Sequence, residues 1–152
     1  MSFFEQADAI VAGIEAGFTQ YEGDPGNWTG GKVGVGILKG TKYGIAASAY
    51  PDLDIEHLTL DQAREIRKRK YWDVCGCDSM SWDRALCTYD CAINQGDGAE
   101  ELLAKHSGGD VVEFMTERAL RYAASPDLHE FGHSWMHRLF VIFKQAQETP
   151  RG

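Results

Sequence analysis

Nine of the chain's seventeen glycines fall between Gly17 and Gly44. Glycine at that density costs a helix too much backbone entropy to persist. The blocks on either side are patterned as helices, so the chain is constrained to a helical domain interrupted near its N-terminus. The glycine-rich segment also carries Trp28, Val33, Val35, Ile37 and Leu38. A disordered loop has no need of such side chains, which predicts an ordered, β-like excursion. Lys32 to Leu38 alternates weakly and is the candidate for a small hairpin. At 152 residues the chain has the length of one domain with a real core. The expected fold class is mainly α.

The helices are marked by their ends. Ser2 and Glu5 form a capping box ahead of Phe3, Ala7, Ile10, Val11 and Ile14, and Gly17 is a stop. Thr59 and Gln62 form a second box, starting a helix through Ala63 and Ile66 to Tyr71-Trp72. Ser81 caps a helix with Trp82, Ala85, Leu86, Tyr89 and Ile93 on its apolar face. A short helix is expected over 99–106, stopped by Gly108-Gly109. Asp110 and Glu113 cap a helix carrying Val111, Phe114, Met115, Arg118 and Tyr122, which Ser125-Pro126 breaks. A last helix is expected from His133 to Gln147, with Trp135, Leu139, Ile142 and Phe143.

The formal charge of -8 argues against non-specific nucleic-acid binding, which wants a basic face. It argues equally against charge-driven attachment to anionic membranes or walls. Residues 1–31 hold five acids and no Lys or Arg, whereas Arg64, Arg67, Lys68, Arg69 and Lys70 form a basic run expected to be a solvated helix face. No apolar run approaches the about 20 residues of a membrane span, and no secretory signal is evident. Cys75, Cys77, Cys87 and Cys91 lack the usual zinc-knuckle spacing, so buried free thiols are expected. His129, His133 and His137 recur every fourth residue and are expected to form an exposed polar stripe on a helix. Neither a metal nor a cofactor is implied.

Glu15 is the strongest candidate for chemistry. It falls in the last turn of the first helix pattern, where the helix dipole disfavours a charged carboxylate and favours the neutral form a general acid needs. A second carboxylate follows in the turn Asp24-Pro25-Gly26, and a hydroxyl heads Thr41-Lys42-Tyr43-Gly44-Ile45. A proton donor, a second carboxylate and a polar group able to hold water suit attack on a glycosidic bond. Asp90 and Asn94, with Gln95 and the helix-ending Gly96, form a polar group that is either an internal hydrogen-bond hub or a ligand contact.

Several motifs in order resemble glycoside hydrolase family 108, the phage and prophage lysozymes, a family also labelled putative secretion activator proteins. They are Glu15-Ala16-Gly17-Phe18, then Asp24-Pro25-Gly26-Asn27, then Thr41-Lys42-Tyr43-Gly44-Ile45, displaced by an insertion around Trp28 to Gly40. Leu58-Thr59 with Ala63 and Tyr71-Trp72 follow, and then Asp90, Ala92, Asn94 and Gly96. The resemblance implies a single lysozyme-like α+β domain over 1–152. Residues 1–106 would be the glycosidase-like part and 107–152 a predicted peptidoglycan-binding helical part. It implies hydrolysis of the peptidoglycan glycan strand, with Glu15 as general acid and Asp24 and Thr41 stabilising charge or orienting water. Tyr43, Asp90, Asn94 and Gln95 would contact sugar or peptide. It further implies a prophage endolysin, made in the cytoplasm, released by a holin-like partner and acting on the wall. A wall-binding or secretion-related protein without activity, and a lytic transglycosylase, are the alternatives.

Overall fold

The computed structural model describes residues 1–14, 17–96, 101–102, 105, 110–148 and 150. Helix α1 (Phe3–Ile14) starts with the reciprocal box its sequence predicts. The Glu5 amide donates to Ser2 Oγ at 3.2 Å, and the Ser2 amide donates to Glu5 Oε2 at 2.7 Å. Helix α2 (Leu60–Arg67) repeats the device with Thr59 and Gln62 and runs on into a π-helical turn, Lys68–Trp72. Helix α3 (Trp82–Gln95) ends at Gly96, whose φ of 56° breaks the helical path. Helix α4 (Val111–Ala123) is capped by Asp110, which accepts from the Val112 amide at 2.8 Å.

Helix α5 spans Leu128–Gln147 and begins five residues before the expected start at His133. Gly132 does not interrupt it. A Cβ there would lie 2.9 Å from the Leu128 side chain, so this glycine fits close packing inside the helix. The helix expected over 99–106 lies largely outside the described residues. No described helix is long and apolar enough to cross a membrane.

The chain divides into two compact units, Met1–Val11 with Lys68–Gly152, and Ala12–Arg67. In the first, helical unit, α3 packs against α4 and α5. Phe4, Trp72 and Tyr89 meet edge to face with centroids 5.5 to 5.9 Å apart, the arrangement ring quadrupoles favour. The polar ends of the two larger rings are satisfied: Tyr89 donates to buried Asp8 at 2.7 Å, and Trp72 donates to Asp78 at 2.7 Å.

The second, glycine-rich unit is built on Ile45, Ala47, Ile55, Leu58 and Ala63, with Tyr43, Tyr50, Leu53 and Ile66 packed against them. Its only regular sheet among the described residues pairs β1 (Thr41–Lys42) with β2 (Ile45–Ala46), antiparallel, in the register Thr41 to Ala46. Lys32 to Leu38, the expected hairpin, forms turns closed by a single bridge between Trp28 and Leu38. The hairpin falls later because Tyr43 and Gly44 both take positive φ, 51° and 76°. That pair makes the two-residue turn whose twist matches antiparallel strands. The basic run is not uniformly solvated either. Arg67 is buried and donates to the Tyr43 carbonyl at 2.7 Å.

Cys77, Cys87 and Cys91 are buried and Cys75 is half-exposed. Burial, which penalises the thiolate, pushes Cys87 up to about 12 and Cys91 up to about 11. An unfolded thiol ionises near pH 9, so the neutral folded thiols stabilise the protein fully below that pH. This contribution is lost as pH rises from about 9 to 11 and beyond, at about 1.4 kcal/mol per pH unit for each thiol. Thermal unfolding followed from pH 8 to 11 should therefore fall less steeply in Cys91→Ala than in wild type. Equal slopes would remove Cys91 from the explanation.

Candidate active site

The glycine-rich unit is held together by a residue that sequence reasoning passed over. Asn27 is fully buried in the short 3-10 turn Pro25–Asn27. Its Nδ2 donates to the Tyr21 carbonyl at 2.9 Å, and its Oδ1 accepts the Thr41 hydroxyl at 2.7 Å. Its own carbonyl accepts the Lys39 and Gly40 amides, both at 3.0 Å. Asn27 thus ties the Asp24 turn to the strand that starts at Thr41. The only sequence signal was an Asn beside a turn-forming Pro-Gly, which is too common to single out a buried hub.

Asp24 is exposed and caps that turn, its Oδ1 accepting from the Gly26 amide at 2.8 Å. The bond fixes the carboxylate and leaves Oδ2 for other work. Thr41 is half-buried. Because its proton goes to Asn27, its oxygen is oriented to accept a hydrogen bond rather than to donate one. The Thr41 backbone pairs in both directions with Thr19, at 2.9 Å each way. Gly40 permits that pairing. Its φ is 89°, and a Cβ there would come within 2.4 Å of the Thr19 carbonyl oxygen. Thr19 is four residues after Glu15 in the chain. Glu15 and Ala16 lie outside the described residues, and α1 is described up to Ile14.

Tyr43 packs on the core of the same unit, and Lys42 Nζ lies 5.4 Å from the centre of its ring. A tyrosine at φ 51° stores backbone strain of about 1–3 kcal/mol. The Arg67 bond to its carbonyl helps to hold it there.

In the helical unit, Asp90 settles one of the alternatives its motif left open. It is fully buried, and its two oxygens serve two arginines: Oδ2 accepts from Arg118 Nη2 at 2.9 Å, and Oδ1 from Arg138 Nε at 2.9 Å. Asp90 is therefore the hub of α3, α4 and α5, and no surface of it is exposed. Burial opposes the charge on Arg118, but the Asp90 carboxylate outweighs it and raises the guanidinium above its ordinary range. Gln95 is half-buried and accepts from Arg118 Nε at 3.2 Å. Asn94 is half-buried and accepts from the Tyr122 hydroxyl. Burial pushes that hydroxyl up, with Arg118 opposing. Trp135 stacks on the Tyr122 ring at 4.8 Å. The pairing of Asp90 with Arg118 and Arg138 spans 28 and 48 residues of sequence, a separation that helical periodicity does not reveal.

His129, His133 and His137 are exposed on α5. Among the described residues no group of three or more His, Cys, Asp or Glu side chains is disposed to hold a metal ion.

A mainly helical domain with a small β element in its glycine-rich part is a lysozyme-like architecture. The glycosyl hydrolase 108 family model matches residues 9–96, more than half of the chain and all seven candidate site residues, and the chain belongs to that family. Among solved structures, SagA of Brucella abortus superposes with a TM-score of 0.74 at 22% sequence identity, covering 94% of this chain and 92% of that one. At that identity the likeness establishes the mainly α, lysozyme-like fold. No curated protein matches the chain.

Proposed function

We propose that the protein is a peptidoglycan lysozyme, an N-acetylmuramidase that hydrolyses the β-1,4 bond between N-acetylmuramic acid and N-acetylglucosamine. Glu15 is the general acid that protonates the leaving glycosidic oxygen. Asp24 and the Thr41 oxygen receive the hydrogens of a water, leaving the water's lone pair directed at the anomeric carbon. The observation that carries this reading is the linkage of the Asp24 turn to Thr41 through buried Asn27, inside the segment the family model matches. Asn94 and Gln95, half-buried at the end of α3, remain candidates for substrate contact, as does Tyr43. The biological setting we propose is a prophage endolysin, made in the cytoplasm and passed to the wall by a holin-like partner. Mass spectrometry of the fragments released from purified peptidoglycan tests the reaction. Reducing muramic ends are expected. Anhydro ends would make it a lytic transglycosylase, and binding without release a wall-binding protein.

Asp24 has two separable jobs, a turn cap and a charge. Asp24→Asn keeps a cap acceptor of equal rank but removes the carboxylate, so stability should hold while kcat falls by about a hundredfold. Asp24→Ala should also lose about 1 kcal/mol of stability. An Asp24→Asn enzyme with wild-type kcat would reduce Asp24 to a cap.

A further inference from the structure

Between the Asp24 turn and Thr41 the chain leaves as an arm, and its side chains do not follow the usual logic of burial. Val33, Val35 and Ile37 are 55%, 48% and 64% exposed. The arm is nevertheless tightly built. The Thr29 amide donates to the Ile37 carbonyl at 3.0 Å, the Gly30 amide to the Val35 carbonyl at 3.1 Å, and the Ile37 amide to Thr29 Oγ1 at 2.8 Å. Gly36, at φ 83°, is required: a Cβ there would fall 2.2 Å from Thr29 Oγ1. A chain that constrains a loop this closely and points three aliphatic side chains outward presents an apolar contact surface. Its root is the candidate site, because Asn27 accepts the Lys39 and Gly40 amides with its carbonyl and the Thr41 hydroxyl with its side chain.

We infer that this arm is a substrate-gripping element, in which Val33, Val35 and Ile37 contact the methyl groups of the N-acetyl and lactyl substituents along a glycan strand. The inference rests on the lysozyme reading. Two observations favour this occupant. The arm is continuous with the residues proposed to act on the strand. It carries Lys32, which is exposed and is the first cation of the chain after five acids, suited to the carboxylates of muramyl stems. The arm then adds methyl recognition to a site whose other groups are polar.

The test combines Val33→Thr and Val35→Thr, which exchange a methyl for a hydroxyl at constant shape, with Ile37→Thr, which exchanges an ethyl branch for a hydroxyl, in a Glu15→Gln background, scored by co-sedimentation with purified peptidoglycan. Binding should weaken about tenfold, with the thermal unfolding midpoint unchanged because the three side chains are exposed. On de-N-acetylated peptidoglycan the difference between the two proteins should shrink. If the triple variant is destabilised, Ile37→Thr alone gives the same comparison at smaller amplitude. Equal binding of the two proteins to acetylated peptidoglycan, or no binding by either, would overturn the inference. The lysozyme reading is judged separately, by release of reducing ends: a wild type that releases none but loses binding through the arm substitutions keeps the arm and loses the hydrolysis.

Discussion

Glu15→Gln is expected to lower kcat on purified peptidoglycan by about a thousandfold, with KM and thermal stability near those of wild type. An amide of the same size cannot protonate the leaving oxygen, so the loss belongs to the transition state rather than to binding. The size follows from the uncatalysed difficulty of expelling an alkoxide, which a positioned acid relieves. A Glu15→Gln protein that keeps more than about a tenth of wild-type kcat would place the proton donor elsewhere.

The second large effect concerns stability. Asp90→Ala should cost about 3–5 kcal/mol, because it leaves the Arg118 and Arg138 guanidiniums buried without the carboxylate they share. For a chain of this length that is a fall on the order of 10 °C in Tm. Asp90→Asn keeps the volume and should still lose most of that stability, since the charge holds the three helices together. Adding Arg138→Met to Asp90→Asn should recover part of the loss by removing one of the two opposed cations. Thermal unfolding of the four proteins checks the series. An Asp90→Ala protein with wild-type Tm but weakened substrate binding would return Asp90 to the role of ligand contact.

Local chemistry was legible in the sequence wherever it was complete within a few residues. The Ser2–Glu5 and Thr59–Gln62 boxes and the Asp110 cap each need only a side chain and an amide a turn away, and each is present in the structure. The glycine-rich segment was recognisable as an ordered interruption for the same reason. What escaped was decided at long range or by backbone sign. The alternation of Lys32 to Leu38 pointed to strands, but Gly34 and Gly36 take positive φ and the pairing moves to Thr41–Ala46. Arg67 belonged by composition to an exposed basic face, yet the Tyr43 carbonyl draws it inside. Asn27 carried no pattern, because its importance comes from partners at Tyr21, Lys39, Gly40 and Thr41 that only folding assembles. Asp90 was visible as a polar residue at an unusual place, but its two arginines lie too far along the sequence to be read from it.

In the proposed mechanism, water directed by the Asp24 and Thr41 region and assisted by Glu15 cleaves the glycan strand. Digestion of purified peptidoglycan in ¹⁸O-enriched water, followed by mass spectrometry of the released fragments, tests it most directly. The expected result is one heavy oxygen on the new reducing end of N-acetylmuramic acid with wild type, and almost no such product with Glu15→Gln. Anhydro-muramic ends without heavy oxygen, or labelled ends released equally by both proteins, would contradict it.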